Sequence, residues 1–224
     1  WTGMIFNDVF DRDIDAKERP LRPLPSGRVS LKLAIGLGLC FNVLGLGIAA
    51  ATGTNSLIIA ACLTTAIYLY DKVLKKTPLG PLAMGSCRFF NVLLGASAAT
   101  DGELWKLPVL HVAAGLGIYV TGLTWFAKQE AKWSNQRMLV GAAGVISLGF
   151  AMLLSFLLNF PTERDRQTPA LLLGVIAFTV ARRLVTAINE PTPPNVQVAI
   201  KVMLLSLVML DAMLVVFVTG NPMM

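Results

Sequence analysis

The sequence predicts an all-α, polytopic transmembrane helix bundle, on three observations: apolar windows of membrane-spanning length, few charges, and basic residues sorted onto alternate connectors. Of 224 residues, 55% are hydrophobic and 14% charged, against roughly 25% charged in soluble domains, and the mean hydropathy is +0.66. A hydrocarbon core is crossed by roughly 17–25 apolar residues, and only a helix bonds its backbone groups within one such segment. Seven windows fit: residues 31–51, 57–74, 83–99, 109–127, 138–160, 170–188 and 202–219. The whole chain, 1–224, reads as a single integral-membrane domain. Because it opens on Trp1 and residues 1–6 resemble the end of an apolar helix, it is expected to be a fragment lacking the first helices.

In chain order, the polar segment 7–28 comes before the first full span. Gly36, Gly38, Gly45 and Gly47 in that span, and Gly141 and Gly144 in the fifth, are expected to let helix backbones approach closely. Arg88 and Asn91 lie three residues apart on one face of the third span. An in-span charge costs roughly 2.5–3.5 kcal/mol at the centre, which implies a partner or a wet cavity. Asp211 meets the same argument in the last span, as a substrate-binding group or proton acceptor, or as a polar link between helices. His111 falls toward the opposite side from the polar head, which argues against a general-base role. Cys40, Cys62 and Cys87 lack metal-ligand spacing and read as small hydrophobes. The 191–194 stretch is a loop.

The connectors alternate in charge. Arg12, Lys17, Arg19, Arg22, Arg28, Lys32, Lys72, Lys75, Lys76, Lys128, Lys132, Arg137, Arg182, Arg183 and Lys201 fall on one predicted side, fifteen of the nineteen basic residues. The positive-inside bias makes that side cytoplasmic and accounts for the net charge of +6. No nucleic-acid partner is expected, because the basic residues form no continuous patch.

Chemistry concentrates at the head. Asn7, Asp8, Asp11, Asp13 and Asp15 place five oxygen-bearing side chains in nine residues; on a continuous helix Asn7, Asp11 and Asp15 share a face, with Asp8 one turn before Asp11. Asp13 lies off that face and reads as solvated. Carboxylates that close repel unless a cation sits among them, and this donor set suits a hard ion such as Mg2+ bridging to phosphate. Asn7, Asp8, Asp11 and Asp15 are therefore the candidate metal and catalytic residues. An apolar bundle with such a mouth fits an amphiphile, with phosphates at the rim and hydrocarbon between helices: an isoprenoid diphosphate.

The run Asn7-Asp8-x-x-Asp11-x-x-x-Asp15, followed by Arg19-Pro20 and Arg22-Pro23-Leu24-Pro25-Ser26-Gly27-Arg28, resembles the first signature of the UbiA superfamily of intramembrane prenyltransferases. Tyr70-Asp71-Lys72-Val73-Leu74-Lys75-Lys76-Thr77 looks like that family's tyrosine-to-lysine loop. The resemblance implies nine helices around a central cavity, with two helices missing or mostly missing ahead of Trp1. It implies Mg2+-dependent transfer of a prenyl group from an isoprenoid diphosphate to a lipophilic acceptor, aromatic or other, within the bilayer. On that resemblance Asn7 and Asp11 are direct Mg2+ ligands, with Asp8 and Asp15 completing or orienting the site. Arg19, Arg22 and Lys75 bind diphosphate oxygens, Tyr70 lines the cavity, and Arg88 and Asn91 are further substrate-binding candidates. Arg28 and Lys32 are topology determinants or diphosphate contacts.

One departure stands out. Where the family carries a second Asp-x-x-x-Asp, this chain has Trp125-Phe126-Ala127-Lys128-Gln129-Glu130-Ala131-Lys132. Glu130 is the acidic residue left there, so a second ion is absent, held by Glu130 alone, or replaced electrostatically by Lys128. The Tyr70-Asp71 loop, Gly85-Ser86-Cys87-Arg88-x-x-Asn91 and this degenerate site are similar to a UbiA-like branch called EboC. The alternative function is a non-catalytic UbiA-like protein that binds or carries an isoprenoid lipid. Acceptor, prenyl chain length and oligomeric state are left open by the sequence.

Overall fold

A computed structural model describes residues 1–98, 107–128, 130, 133–159 and 167–219. Among these residues every regular element is helical. The elements are α1 (Thr2–Phe10), α2 (Arg12–Glu18), α3 (Leu31–Thr52), α4 (Thr54–Leu69) with a π-helical turn at Tyr70–Leu74, α5 (Gly80–Ser97), α6 (Leu107–Ala127), α7 (Gln136–Asn159), α8 (Gln167–Asn189) and α9 (Pro193–Thr219). Among the described residues six helices are long and apolar enough to cross a membrane: Leu31–Thr52, Thr54–Leu74, Leu107–Ala127, Gln136–Asn159, Gln167–Asn189 and Pro193–Val215. The seventh expected span is also a helix, α5, whose apolar content is diluted by Arg88, Asn91 and several small residues.

Large apolar side chains cover the outer surface. Val43, Ile48, Leu171, Phe178, Leu205 and Val208 are each 65–71% exposed, which in water would be a severe liability and in lipid is the required surface.

The chain forms two compact units, Trp1–Leu104 and Trp105–Met224. In the first, α1 packs against α3, α4 and the π turn, and α4 packs against α5. Phe6, buried, seats α1: its ring lies edge-on to Tyr68 at 5.0 Å and fills the notch at Gly38, where a Cβ would fall 2.7 Å from the ring. At the other end of the unit, Ser97 Oγ donates to Ser56 Oγ at 2.9 Å and ties α5 to α4.

In the second unit α6, α7, α8 and α9 pack in a closed ring, each against the next and α9 back against α6. The antiparallel α6–α7 pair approaches most closely at Gly122 and Gly149. A Cβ on Gly122 would lie 2.8 Å from the Ile146 backbone nitrogen, and one on Gly149 would lie 2.8 Å from that of Tyr119. The buried Tyr119 hydroxyl donates to the Met203 carbonyl at 2.9 Å, tying α6 to α9.

This corrects the reading of the glycines. Gly38 and Gly141 do face neighbours, Phe6 and Trp125, but a Cβ at Gly36, Gly45, Gly47 or Gly144 would meet no other helix or side chain within 4 Å among the described residues. Small-residue spacing marks a face that permits close approach; which face is used depends on the partner helix. Gly149→Ala is expected to lower stability by about 1–3 kcal/mol through overpacking. Gly144→Ala, into open space, should be neutral or stabilise by up to about 1 kcal/mol through helix propensity. Thermal unfolding of the two variants in the same detergent checks the opposite signs.

Candidate functional site

The charged head is built by α1, α2, the loop after α2 and the π turn, all in the first unit. The expected continuous helix through residues 7–15 breaks at Asp11, whose ψ of 1° ends α1 and starts α2. Asn7, Asp11 and Asp15 nevertheless line one cavity, as their spacing predicts, while the carboxylates go to two different cations.

Arg22 takes one set. Its Nη1 donates to Asp15 Oδ2 at 2.7 Å and to Asp8 Oδ1 at 3.1 Å. Asp15 is 5% exposed, and Arg22 is the cation that faces it. The hydrogen bond to Asp15, with Coulombic help from Asp15, Asp8 and Asp11, holds the Arg22 guanidinium above its ordinary pKa despite some desolvation.

Lys75 takes the other set. Its Nζ donates to Asn7 Oδ1 at 2.7 Å and forms a close ion pair with Asp11 Oδ2. The π turn places it: the Lys75 backbone N–H reaches back five residues to the Tyr70 carbonyl at 2.9 Å. Beneath it the chain is tightly folded, with Thr77 Oγ1 donating to the Leu74 carbonyl at 2.8 Å. A Cβ on Gly80 would lie 2.9 Å from both the Leu74 and the Lys75 carbonyl oxygens, so glycine is required for this close approach.

The loop between α2 and α3 is clipped to itself. Gly27 adopts φ +75°, a left-handed conformation natural to glycine. Arg28 donates to Ser26 Oγ at 3.1 Å and to the Leu21 carbonyl, which makes it a loop brace. Ser30 caps α3, its side chain accepting from the Leu33 N–H at 3.3 Å.

Together these elements enclose a polar cavity of about 320 Å³ lined by Asn7, Asp11, Asp15, Arg19, Arg22 and Lys75. Glu18 and Lys76 also line it; neither was singled out from sequence, although Glu18 lies one turn after Asp15 and Lys76 directly follows Lys75. Asp13 is exposed, as expected. Asp8 reaches the cavity's structure through Arg22 rather than as a lining residue.

The remaining candidates are not among these lining residues. Tyr70 is the first residue of the π turn. Arg88 Nη1 donates to Asn91 Oδ1 at 3.2 Å within α5. Lys128 and Glu130 belong to the second unit and are exposed; there the Glu130 carbonyl accepts from Gln197 Nε2 at 3.5 Å. His111 Nε2 lies 3.0 Å from the Met152 carbonyl, a link between α6 and α7. Asp211 sits partly buried in α9.

Among the described residues no three His, Cys, Asp or Glu side chains gather as a metal cluster. The donor set nevertheless fits a hard cation in another way. An amide oxygen and a carboxylate, from Asn7 and Asp11, already converge on one positive charge, the Lys75 ammonium, and Mg2+ commonly takes one or two protein ligands with water and phosphate supplying the rest.

Beside the mouth lies an apolar groove of about 520 Å³ along α1, α3 and α4, lined by Trp1, Gly3, Phe41, Leu63, Ile67 and Tyr68 among others. Gly3 and Asn7 are one turn apart on the same face of α1, so one helix lines both the greasy groove and the charged cavity.

Fold and mouth define an integral multi-pass membrane protein with a charged, oxygen-rich cavity set beside an apolar groove. The chain belongs to the UbiA prenyltransferase family, which matches residues 1–208. It is similar to the digeranylgeranylglyceryl phosphate synthase of Methanopyrus kandleri, 43% identical over 115 residues, covering 48% of this chain and 42% of that protein. The synthase of the same name from Methanosarcina mazei is 39% identical over 117 residues, covering 52% of this chain and 40% of that protein. These matches therefore span about two-fifths of the relatives' own length. A solved structure concerned with digeranylgeranylglyceryl phosphate synthase in membranes aligns with a TM-score of 0.72 at 22% identity, over 96% of this chain and 80% of that one. At that identity the likeness establishes the fold.

Removing the Arg22 guanidinium would leave Asp15 buried without its cation. Arg22→Ala is expected to cost about 1–3 kcal/mol, and Arg22→Ala with Asp15→Leu to recover part of it. Thermal unfolding of the single and double variants measures the coupling; strictly additive losses would contradict the pairing.

Proposed function

We propose that the chain catalyses Mg2+-dependent transfer of a prenyl group from an isoprenoid diphosphate to a lipophilic acceptor, aromatic or other, within the membrane, from a mouth on the cytoplasmic face. The observation that carries this reading is the meeting of Asn7, Asp11 and Lys75 at a polar cavity whose helix α1 also lines an apolar groove. The relatives' name denotes a prenylated glyceryl phosphate, which supports a geranylgeranyl donor and a polar-headed lipid acceptor as the first pair to try.

Asn7 and Asp11 hold the divalent ion, with Asp8 and Asp15 acting one step back by fixing Arg22. When bound, Mg2+ supplies positive charge where negative charge builds on the leaving diphosphate. Arg19 and Lys76 at the cavity wall, with Lys75, bind diphosphate oxygens. Arg22 lines the same cavity, and a fork of five donors has capacity beyond its two carboxylates. The groove shields the departing allylic carbon from water. Tyr70, Arg88, Asn91, Lys128 and Glu130 are proposed as secondary contacts to substrate.

Specific support for a carrier that binds an isoprenoid lipid without turnover is the replacement of the second aspartate pair by Lys128 and Glu130. Release of inorganic pyrophosphate from geranylgeranyl diphosphate, with Mg2+ and a panel of acceptors, separates the readings. Asp11→Ala is expected to lower release by about 10²-fold or more, and Asp13→Ala to leave it unchanged. Mg2+-dependent binding with no release for any acceptor would favour the carrier. Absence of both binding and release would overturn the proposal.

A further inference from the structure

The two cations at the mouth are held in different ways. Arg22 is braced by two carboxylates, one of them buried, and sits within a loop clipped by Arg28 and Gly27. Lys75 reaches from the π turn on a flexible four-carbon stem to two oxygens, and its side chain is 31% exposed. Those two oxygens, Asn7 Oδ1 and Asp11 Oδ2, are the pair that suits a divalent ion. An ammonium within hydrogen-bond reach of both occupies the position the ion needs, because Mg2+ requires its oxygens at about 2.0–2.1 Å and repels a neighbouring positive charge.

We infer that Lys75 is a resident counter-cation of the Asn7–Asp11 pair, which a divalent ion displaces, so that metal loading releases the Lys75 ammonium for the diphosphate. This rests on the Mg2+ reading above and deepens it. Without metal, Lys75 neutralises Asp11 and keeps the cavity from holding a bare carboxylate. Once the pair is taken by Mg2+, the ammonium turns to the phosphate oxygens of the substrate, with Asp71 as a remaining carboxylate neighbour. Arg22 does not take part in the exchange, because leaving would strand Asp15. Metal and diphosphate binding are thereby coupled through one side chain: metal alone binds weakly against its competitor, and metal with diphosphate binds well.

The test uses the purified wild-type chain in detergent, with an amine-acetylating reagent and peptide mass spectrometry to follow Lys75 against the exposed Lys17. Mg2+ alone should raise Lys75 acetylation several-fold, and Mg2+ with inorganic pyrophosphate should lower it again. In calorimetry without pyrophosphate, Lys75→Met should bind Mg2+ about tenfold tighter than wild type, while losing the gain in affinity that pyrophosphate gives wild type. If Mg2+ binds wild type but Lys75 acetylation stays constant, the exchange is overturned and the metal reading survives. If Mg2+ binds neither wild type nor Lys75→Met, with or without pyrophosphate, both are overturned.

Discussion

The charged end of the first unit is governed by the need to give every crowded carboxylate a cation. Residues 7–15 put four aspartates and an asparagine where helices enter an apolar environment, and such charges repel one another unless compensated. The other features of the mouth follow from that need. The proline-rich loop returns Arg22 to Asp8 and Asp15, and the π turn delivers Lys75 to Asn7 and Asp11. Each device is local, but the neutralisation spans 68 residues of sequence between Asn7 and Lys75.

The rest of the molecule solves a different problem. Helices that are apolar on nearly all sides gain little by burying against one another in lipid, so close packing and a few internal hydrogen bonds hold them. In the second unit this is done by the backbone approach at Gly122 and Gly149 and by the Tyr119 hydroxyl on the Met203 carbonyl. In the first it is done by Phe6 in the Gly38 notch and by the Ser56–Ser97 link. The Phe6 notch also positions chemistry, because Asn7 is the next residue on the same helix.

The helices were legible in the sequence because twenty-residue apolar runs have few other uses, and their observed limits lie within a few residues of the expected ones except at α9, which starts nine residues early at Pro193. The acidic cluster and its basic companions were legible from composition and spacing alone. The partners were not. Helical periodicity brings Asn7, Asp11 and Asp15 to one cavity, as observed, but carries no information on which cation each oxygen meets. The π turn is equally silent: one inserted residue in a helix leaves no compositional mark, yet it decides where Lys75 points. The glycines failed differently, since Gly36, Gly45, Gly47 and Gly144 carry the spacing of packing residues on surfaces without a neighbour.

Charge balance links the cavity to the ligand proposed for it. Of the charged residues lining it, Asp11, Asp15 and Glu18 are acidic and Arg19, Arg22, Lys75 and Lys76 basic, a balance of about +1. An organic diphosphate brings roughly three negative charges at neutral pH, more than this lining offsets. A divalent ion closes most of the difference, and it does so best if it adds its charge without expelling a basic residue from the cavity. Exchange of position, with the ion on Asn7 and Asp11 and the ammonium on phosphate, satisfies that condition. Simple competition, with Lys75 driven into solvent, would not. A lysine suits this role better than an arginine: its charge is compact and its stem can turn, whereas a planar fork held by Asp8 and Asp15 is built to stay where it is.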